Sequence, residues 1–287
     1  MRDKGTDRER RGASGRGVDK DETMIIGFDI GNTSTTAGVY PEGGAVPDYT
    51  FRFPTVKTDG PGELSRSIMN GIARHGVREA RLRVSGLAFS SVAPEINEAY
   101  RTMASERFAV EALELSCRSR LNFAIRYKDP EQLGVDRIVN AAAAFHEYGG
   151  GSIVVDIGTA VTFCVLLEEG IFDGGIIAPG IDTAIKALAS RASRLPEVPF
   201  ESPDRLAARD TVNALKSGFF YGWLSLVEGI IGRIEAEYGR EFRIVLTGGF
   251  AGAIEGHLSR DCVVDPLLSM KGIKILYDLN VGKKPPV

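Results

Sequence analysis

Several features that define common classes of protein are missing from this chain of 287 residues. Its three cysteines, Cys117, Cys164 and Cys262, are too few and too far apart for a disulfide framework or a zinc site, which favours a reducing cytoplasm. No apolar run approaches the ~20 residues that a membrane-spanning helix needs. There is no Gly-x-x-x-x-Gly-Lys-Ser/Thr, which excludes a P-loop, and no strand precedes a Gly-x-Gly-x-x-Gly, which leaves a Rossmann site unsupported.

The chain also lacks an excess of positive charge. Its net charge of -3 argues against bulk binding of nucleic acid, so we expect neither a nucleic-acid partner nor a membrane one. Residues 1–23 hold 13 charged side chains and four glycines, a composition that cannot bury enough apolar surface to offset its ordering entropy. This segment also lacks the apolar core of a signal peptide. We therefore predict a disordered tail over residues 1–23 and a folded part that begins at Met24.

A strand-and-turn unit occurs twice in the sequence. Residues 24–38 and residues 152–162 each contain an apolar strand, an Asp-Ile-Gly step and a turn rich in hydroxyl groups, followed by a second apolar stretch. The backbone N–H groups of such turns can bind phosphate oxygens, and the carboxylates of Asp29 and Asp156 can hold hydrated Mg²⁺. A third glycine-rich turn, Thr247 to Gly249, follows a later buried strand. The repeat predicts two similar halves that face each other around a phosphorylated ligand.

The order of the remaining segments is typical of an α/β protein with mixed sheets. We divide the folded part into an N-terminal domain over residues 24–138 and a C-terminal domain over residues 139–287. In the first half we expect a helix over residues 95–106 and a short strand over residues 108–110. In the second half an amphipathic helix capped by Asp210 or Thr211 should continue to about Tyr238.

The segment that joins the two halves contains Leu-Gly-x-Asp-Arg at residues 133–137. Asp136 occupies the position expected of an N-cap residue before an alanine-rich helix that begins at Arg137. A capping aspartate beside an arginine can also accept a proton from a substrate hydroxyl. The spacing leaves both roles open, and the two are compatible.

These segments together resemble the superfamily of acetate kinase, sugar kinases, Hsp70 and actin, and within it the type III pantothenate kinases. The resemblance spans residues 24–252 and is carried by four segments: 29–33, 127–137, 156–162 with 174–180, and 210–218. It implies two RNase H-like α/β domains of the actin and Hsp70 type, with a nucleotide cleft between them. The implied reaction is ATP-dependent phosphorylation of pantothenate to 4'-phosphopantothenate, the first step of coenzyme A biosynthesis.

The resemblance also implies a role for each matched residue. Asp136 would be the general base, and Asp156 would help to bind a monovalent cation, potassium or ammonium, while Mg²⁺ accompanies ATP. The implied ATP-binding residues are Asp29, Ile30, Gly31, Asn32, Thr33, Ser34, Thr35, Thr36 and Thr159, with Thr247 to Gly249 near the nucleotide. The implied pantothenate-binding residues are Tyr127, Gly134, Val135, Asp136, Arg137 and Thr211. The expected assembly is a cytoplasmic homodimer whose substrate pocket lies close to the interface.

One position departs from the family pattern, and two other functions stay open. Cys164 stands where many members carry aspartate, and we expect it to be a small buried residue rather than a thiolate. A kinase for another small hydroxy substrate would share the two Asp-Ile-Gly turns. A non-catalytic accessory factor is the alternative from another class, although such a protein would be expected to have lost Asp29 or Asp136.

Overall fold

The computed structural model of the chain describes residues 22–78 and 82–281. The predicted disordered tail lies outside the described residues, apart from the residues at 22 and 23, which belong to the first strand. No helix within the described part of the chain is long and apolar enough to cross a membrane.

The first sheet has five strands in the order β3-β2-β1-β4-β5. Strand β1 runs antiparallel to β2 and parallel to β4, so the Asp-Ile-Gly turn joins the two strands of a hairpin. The bounds of the strands are β1 Glu22–Ile30, β2 Ser34–Pro41, β3 Tyr49–Pro54, β4 Leu82–Ser91 and β5 Ala112–Glu114.

The second sheet repeats this arrangement and adds one strand at its edge. Its order is β11-β10-β7-β8-β9-β6, in which β7 and β8 form the hairpin of the second Asp-Ile-Gly turn and β10 lies parallel to β7. The bounds are β6 Ala124–Ile125, β7 Ser152–Ile157, β8 Ala160–Leu167, β9 Ile171–Pro179, β10 Arg243–Thr247 and β11 Cys262–Val264. Two sheets with the same strand order confirm the expected pair of RNase H-like α/β units.

Helices cover both faces of each sheet. The bounds are α1 Pro61–Arg74, α2 Asn97–Phe108, α3 Val135–Tyr148, α4 Ile181–Arg191, α5 Thr211–Tyr238, α6 Ala251–Ile254 and α7 Leu268–Asn280. Helices α1 and α2 pack on the outer face of the first sheet, and α5 packs on the outer face of the second. Helix α7 contacts β1 and β4, helix α3 contacts β7 and β8, and the two helices contact each other. They therefore form a shared layer between the sheets.

The alternation of side chains along the central strands explains this layering. Ile26 and Phe28 of β1 belong to the core beneath α1 and α2, whereas Ile25 belongs to the inner core with α3 and α7. Because successive side chains of a strand point to opposite faces, Asp29 points to the same side as Ile25. The carboxylate of Asp29 therefore points into the layer of α3 and α7.

Two local predictions were wrong. The expected strand over residues 108–110 lies four residues later, because α2 continues to Phe108 and Ala109 ends it with φ of 55°, a left-handed C-cap. The N-cap of α3 is Gly134, so Asp136 lies in the first turn of the helix. The predicted domain boundary after residue 138 falls within α3 and stays a prediction.

Close packing of α3 on α7 depends on Gly272. A Cβ atom at this position would lie 1.9 Å from the carbonyl oxygen of Val139 on α3. The glycine therefore sets the distance between the two helices of the inner layer.

We expect Gly272→Ala to destabilise the protein by about 1–3 kcal/mol, because one helix must move to relieve the overlap. Urea unfolding measures this change. Gly62→Ala in α1 is the matched control, since nothing lies within 4 Å of its Cβ position. Equal unfolding free energies for the two variants would contradict the proposed packing constraint.

Candidate functional site

The two Asp-Ile-Gly turns direct their carboxylates into the layer between the sheets. Asp156 lies on β7 between Val155 and Ile157, whose side chains face the core under α5. Val154, two positions before Asp156, faces the inner core. By the same alternation that orients Asp29, Asp156 points inward. Both aspartates precede the turn at the carboxyl end of the central strand in their sheet.

The first turn of α3 brings a third carboxylate to this region. The Oδ1 atom of Asp136 accepts a hydrogen bond of 2.8 Å from the backbone N–H of Arg137. A Cβ atom at Gly134 would lie 2.4 Å from the same oxygen. The glycine of the Leu-Gly-x-Asp-Arg segment is therefore needed to leave space for the aspartate carboxylate.

All three carboxylates have raised pKa values, mainly because of burial. Burial raises the pKa of Asp29 to about 7, with further increases from the negative charges of Asp136 and Asp156, while the hydroxyls of Ser269 and Ser90 lower it. Burial and the charge of Asp136 raise the pKa of Asp156 to about 6. Burial also raises the pKa of Asp136, against the opposing effects of the Arg137 backbone and side chain. The site thus concentrates negative charge that no neighbouring cation balances fully.

A short chain of hydrogen bonds links three elements at the carboxylate cluster. The Nδ2 group of Asn140 on α3 donates to Oδ2 of Asp156 at 2.9 Å. The hydroxyl of Ser269 on α7 donates to Oδ1 of Asn140, also at 2.9 Å. Helix α3, helix α7 and strand β7 are therefore held in register at the carboxylate cluster.

This donor set fits cations that arrive with a nucleotide. Hard cations such as Mg²⁺ prefer oxygen ligands and are usually held by one or two carboxylates together with phosphates and water. Over residues 22–78 and 82–281, no group of three or more His, Cys, Asp or Glu side chains could hold a metal ion without such partners. Asp29 and Asp156 supply oxygen ligands from opposite sheets, and their raised pKa values show that positive charge would be favourable there.

Arg137 presents a buried positive charge next to the carboxylates. Its guanidinium lies 5.4 Å from the centre of the Phe172 ring, and its Nε donates to Sγ of Cys164 at 3.3 Å. Burial raises the pKa of the Cys164 thiol, so this partner is neutral and the predicted buried cysteine is confirmed. Within the described part of the chain, Arg137 forms no ion pair, and its buried Nη2 has no hydrogen-bond partner. An anionic ligand would satisfy this group.

Tyr127 and Gly175 complete the surroundings of Arg137. Tyr127 packs edge-on against Phe172, with ring centres 6.3 Å apart. A Cβ atom at Gly175 would lie 2.4 Å from Nη2 of Arg137. The sequence-predicted residues Tyr127, Gly134, Asp136 and Arg137 are thus neighbours in the structure.

The glycine-rich turn after β10 packs against the second Asp-Ile-Gly turn. Gly248 has φ of 89°, and a Cβ atom there would lie 2.5 Å from Oδ1 of Asp156. Only glycine combines that backbone conformation with so close an approach. Thr159 is exposed in the same region, where its carbonyl oxygen accepts a 2.8 Å hydrogen bond from the hydroxyl of Thr183 on α4.

The remaining residues predicted to bind ATP or pantothenate differ in their exposure and in the direction of their side chains. Asn32 and Thr33 are exposed at the tip of the first turn, where the N–H of Gly31 donates to the carbonyl of Ser34. Thr35 is buried, and its hydroxyl pairs with that of Thr55 on the side away from the carboxylates. Thr211 is the exposed first residue of α5, and no contact recorded among the described residues joins it to Asp136.

Three residues of the site were missed in the sequence analysis. Asn140 lies four residues after Asp136, the spacing of one helical face, so its position was accessible from the sequence. Ser269 and Phe172 come from segments with no recognisable motif. Only the packing of α7 and β9 brings them to the cluster.

Comparison with known proteins agrees with this geometry. The sequence model of the type III pantothenate kinase family matches residues 25–233. The type III pantothenate kinase of Geobacillus thermodenitrificans (strain NG80-2) is 37% identical over 261 residues, which cover 91% of this chain and all of that protein. The enzyme of the same name from Geobacillus sp. (strain WCH70) is 36% identical over the same shares of the two chains.

Solved structures support the fold alone. A Campylobacter jejuni protein assigned to the Baf family of transcriptional activators has a TM-score of 0.54 at 20% identity, covering 88% of this chain and 97% of that one. The ethanolamine utilization protein EutJ from Carboxydothermus hydrogenoformans has a TM-score of 0.53 at 14% identity, with 88% and 89% covered.

The family match covers most of the chain and includes all three clustered carboxylates. The activity expected from the resemblance, ATP-dependent phosphorylation of pantothenate in coenzyme A biosynthesis, is therefore confirmed at the level of the family. That activity implies ATP together with a divalent metal. By its sequence and its fold, the chain belongs to the type III pantothenate kinases.

Proposed function

We propose that this chain transfers the γ-phosphoryl group of ATP to the primary hydroxyl of pantothenate at the cluster of Asp29, Asp136 and Asp156. The observation that carries the proposal is the pairing of Asp136 with Arg137. A carboxylate with a raised pKa lies one residue from a buried guanidinium whose Nη2 has no hydrogen-bond partner among the described residues. Pantothenate carries a hydroxyl group and a carboxylate that suit these two neighbours.

Asp136 would act as the general base. As the substrate oxygen bonds to the γ-phosphorus, Asp136 takes the hydroxyl proton and the bond to the β,γ-bridging oxygen breaks, which releases ADP. Burial raises the pKa of Asp136 above that of an ordinary aspartate, which brings it closer to neutral pH and makes it a better proton acceptor. The Gly134 backbone leaves Oδ1 free of a clashing side chain.

Arg137 would bind the carboxylate of pantothenate. The planar guanidinium can donate two parallel hydrogen bonds to a carboxylate, and here its position is fixed by Phe172 and Cys164. Tyr127 lies beside it and would contact the same end of the substrate, as would the backbone of Val135. The neutral thiol at position 164 leaves the positive charge of Arg137 available to the substrate.

The two Asp-Ile-Gly turns would hold the nucleotide. Residues 29–36 and Thr159 would contact ATP from opposite sheets, with Gly248 close to Asp156. Mg²⁺ bound with ATP offsets phosphate charge, and a monovalent cation, potassium or ammonium, would share the oxygens of Asp156. Phosphoryl transfer depends mainly on alignment and charge stabilisation, so the shared layer of α3 and α7 is central to the reaction.

The active form would be a homodimer. Leu206 and Val212 are exposed large apolar residues, with 67% and 42% of their surface accessible. The hydroxyl of Ser217 on α5 donates to the carbonyl of Leu206, which places this loop against the same helix as Val212. Such a patch favours association, and a second copy that covers it would carry Thr211 towards the neighbouring substrate pocket.

Asp136→Asn should retain the fold and ATP binding but lose about 10²–10⁴-fold in turnover, because the amide cannot accept the hydroxyl proton. A coupled assay of ADP formation with pantothenate measures the loss. Asp129→Asn, in the exposed loop before α3, is the matched control and should keep its activity. Near-normal turnover of Asp136→Asn would remove this residue from the base role.

Replacement of potassium by sodium at constant ionic strength and Mg²⁺ should lower the rate, whereas ammonium should sustain it. Cavity size and fixed oxygen ligands select between cations of different radius. The dependence should weaken in Asp156→Asn. A wild-type enzyme with equal rates in sodium and potassium would count against the cation role of Asp156.

Mixing inactive Asp136→Asn and Thr211→Val subunits should restore about a quarter of wild-type activity, because half of randomly mixed dimers are heterodimers with one intact site. Sedimentation should give a dimer throughout. No recovery on mixing would show that Thr211 does not act across the interface, and a monomeric active enzyme would refute the assembly.

A further inference from the structure

Arg52 lies at the edge of the first sheet beside the proposed phosphate-binding turn. Its Nε and Nη2 atoms both donate to the hydroxyl of Ser34, at 2.8 and 2.5 Å. Ser34 is the first residue of β2, directly after the turn that follows Asp29. The guanidinium is therefore held against the turn by one of the turn's own side chains.

Strand register places Arg52 on the face that carries the carboxylates. Arg52 on β3 is opposite Thr36 on β2, and Thr36 is opposite Asp29 on β1. Side chains of directly opposed residues project from the same face of a sheet. Arg52, Thr36 and Asp29 thus form one row across three strands, with Arg52 about 10 Å from Asp29 at two strand spacings.

The alternate residues of these strands face the other way. Thr35 is buried and bonds to Thr55, and Phe51 and Phe53 pack against the core beneath α1 and α2. Ser34 shares the orientation of Thr36 because the two are two positions apart on the same strand. The inner face of this hairpin therefore presents two hydroxyls and one guanidinium.

The charge of Arg52 has no carboxylate partner among the residues that the structure describes. The next cation along the chain, Lys57, pairs with Glu95 at 3.2 Å. At the other end of the row lies Asp29, whose pKa is raised by burial and by the negative charges of Asp136 and Asp156. A polyphosphate that entered this site would meet net negative charge unless a cation lined its path.

We propose that Arg52 binds the terminal phosphates of ATP, with Ser34 as the residue that positions its guanidinium. This inference rests on the proposed binding of ATP at the first Asp-Ile-Gly turn. A guanidinium donates paired hydrogen bonds to phosphate oxygens, and Arg52 is exposed, so ligand contact requires no rearrangement of the core. Arg52 would offset the repulsion between the triphosphate and Asp29.

The test compares binding of ATP, ADP and AMP to wild type and Arg52→Gln by calorimetry with Mg²⁺ and without pantothenate. Arg52→Gln should weaken ATP binding by about ten- to hundredfold, as expected for loss of a charge-assisted hydrogen bond, and leave AMP binding unchanged. Arg52→Lys should be intermediate, since it keeps the charge but loses the paired geometry. Arg66→Gln, on the exposed face of α1, is the matched control.

Two results would overturn the inference. One is wild-type ATP affinity in Arg52→Gln. The other is an equal loss of ATP and AMP binding with a lowered melting temperature, which would assign Arg52 a structural role in the hairpin. A wild-type protein that binds ATP but does not phosphorylate pantothenate would refute the substrate assignment alone, whereas one that binds no ATP would refute both.

Discussion

Repulsion among three partly buried carboxylates is the constraint on which the rest of this structure depends. Asp29, Asp136 and Asp156 come from three separate elements, and each is held close to the others by strand register, by Gly134 and by the bonds of Asn140 and Ser269. Such an arrangement destabilises the ligand-free fold, because burial and like charge both disfavour ionisation. Three apolar cores, one between the sheets and one on each outer face, offset this cost. The stability of the scaffold permits a site that is electrostatically unfavourable until cations enter.

The positions of the negatively and positively charged groups also decide how a ligand can lie in the site. Asp29 and Asp156 lie at the ends of the central strands, whereas the guanidinium of Arg137 lies against Phe172 of β9. A neutral thiol rather than a carboxylate accepts the hydrogen bond from Arg137. One positive group therefore lies beside the carboxylates without being neutralised by position 164. A ligand with a hydroxyl at one end and a carboxylate at the other has only one favourable orientation there.

The fold could be predicted because the strand-and-turn unit that identifies it is a short, continuous segment and occurs twice in the sequence. Each Asp-Ile-Gly step combines a buried strand with a turn, and each turn is followed by a second strand, as expected, although these strands begin earlier than their apolar residues indicated, at Ser34 and Ala160. The errors arose where tertiary context decides: Ala109 adopts a left-handed conformation that ends α2, and Gly134 rather than Asp136 caps α3. Ser269 and Arg52 reach the site through helix packing and strand register, which pair residues far apart in the chain. No motif in their own neighbourhoods marks them.

Helix α7 has a consequence for how the chain reaches its native state. This helix, at residues 268–280, packs on β1, which begins at residue 22. The inner face of the first sheet therefore stays uncovered during synthesis until residues 268–280 have left the ribosome. Contacts so distant in sequence slow folding and expose apolar surface on the nascent chain. The two halves have the same strand order, but the first cannot complete its folding before the second has been synthesised.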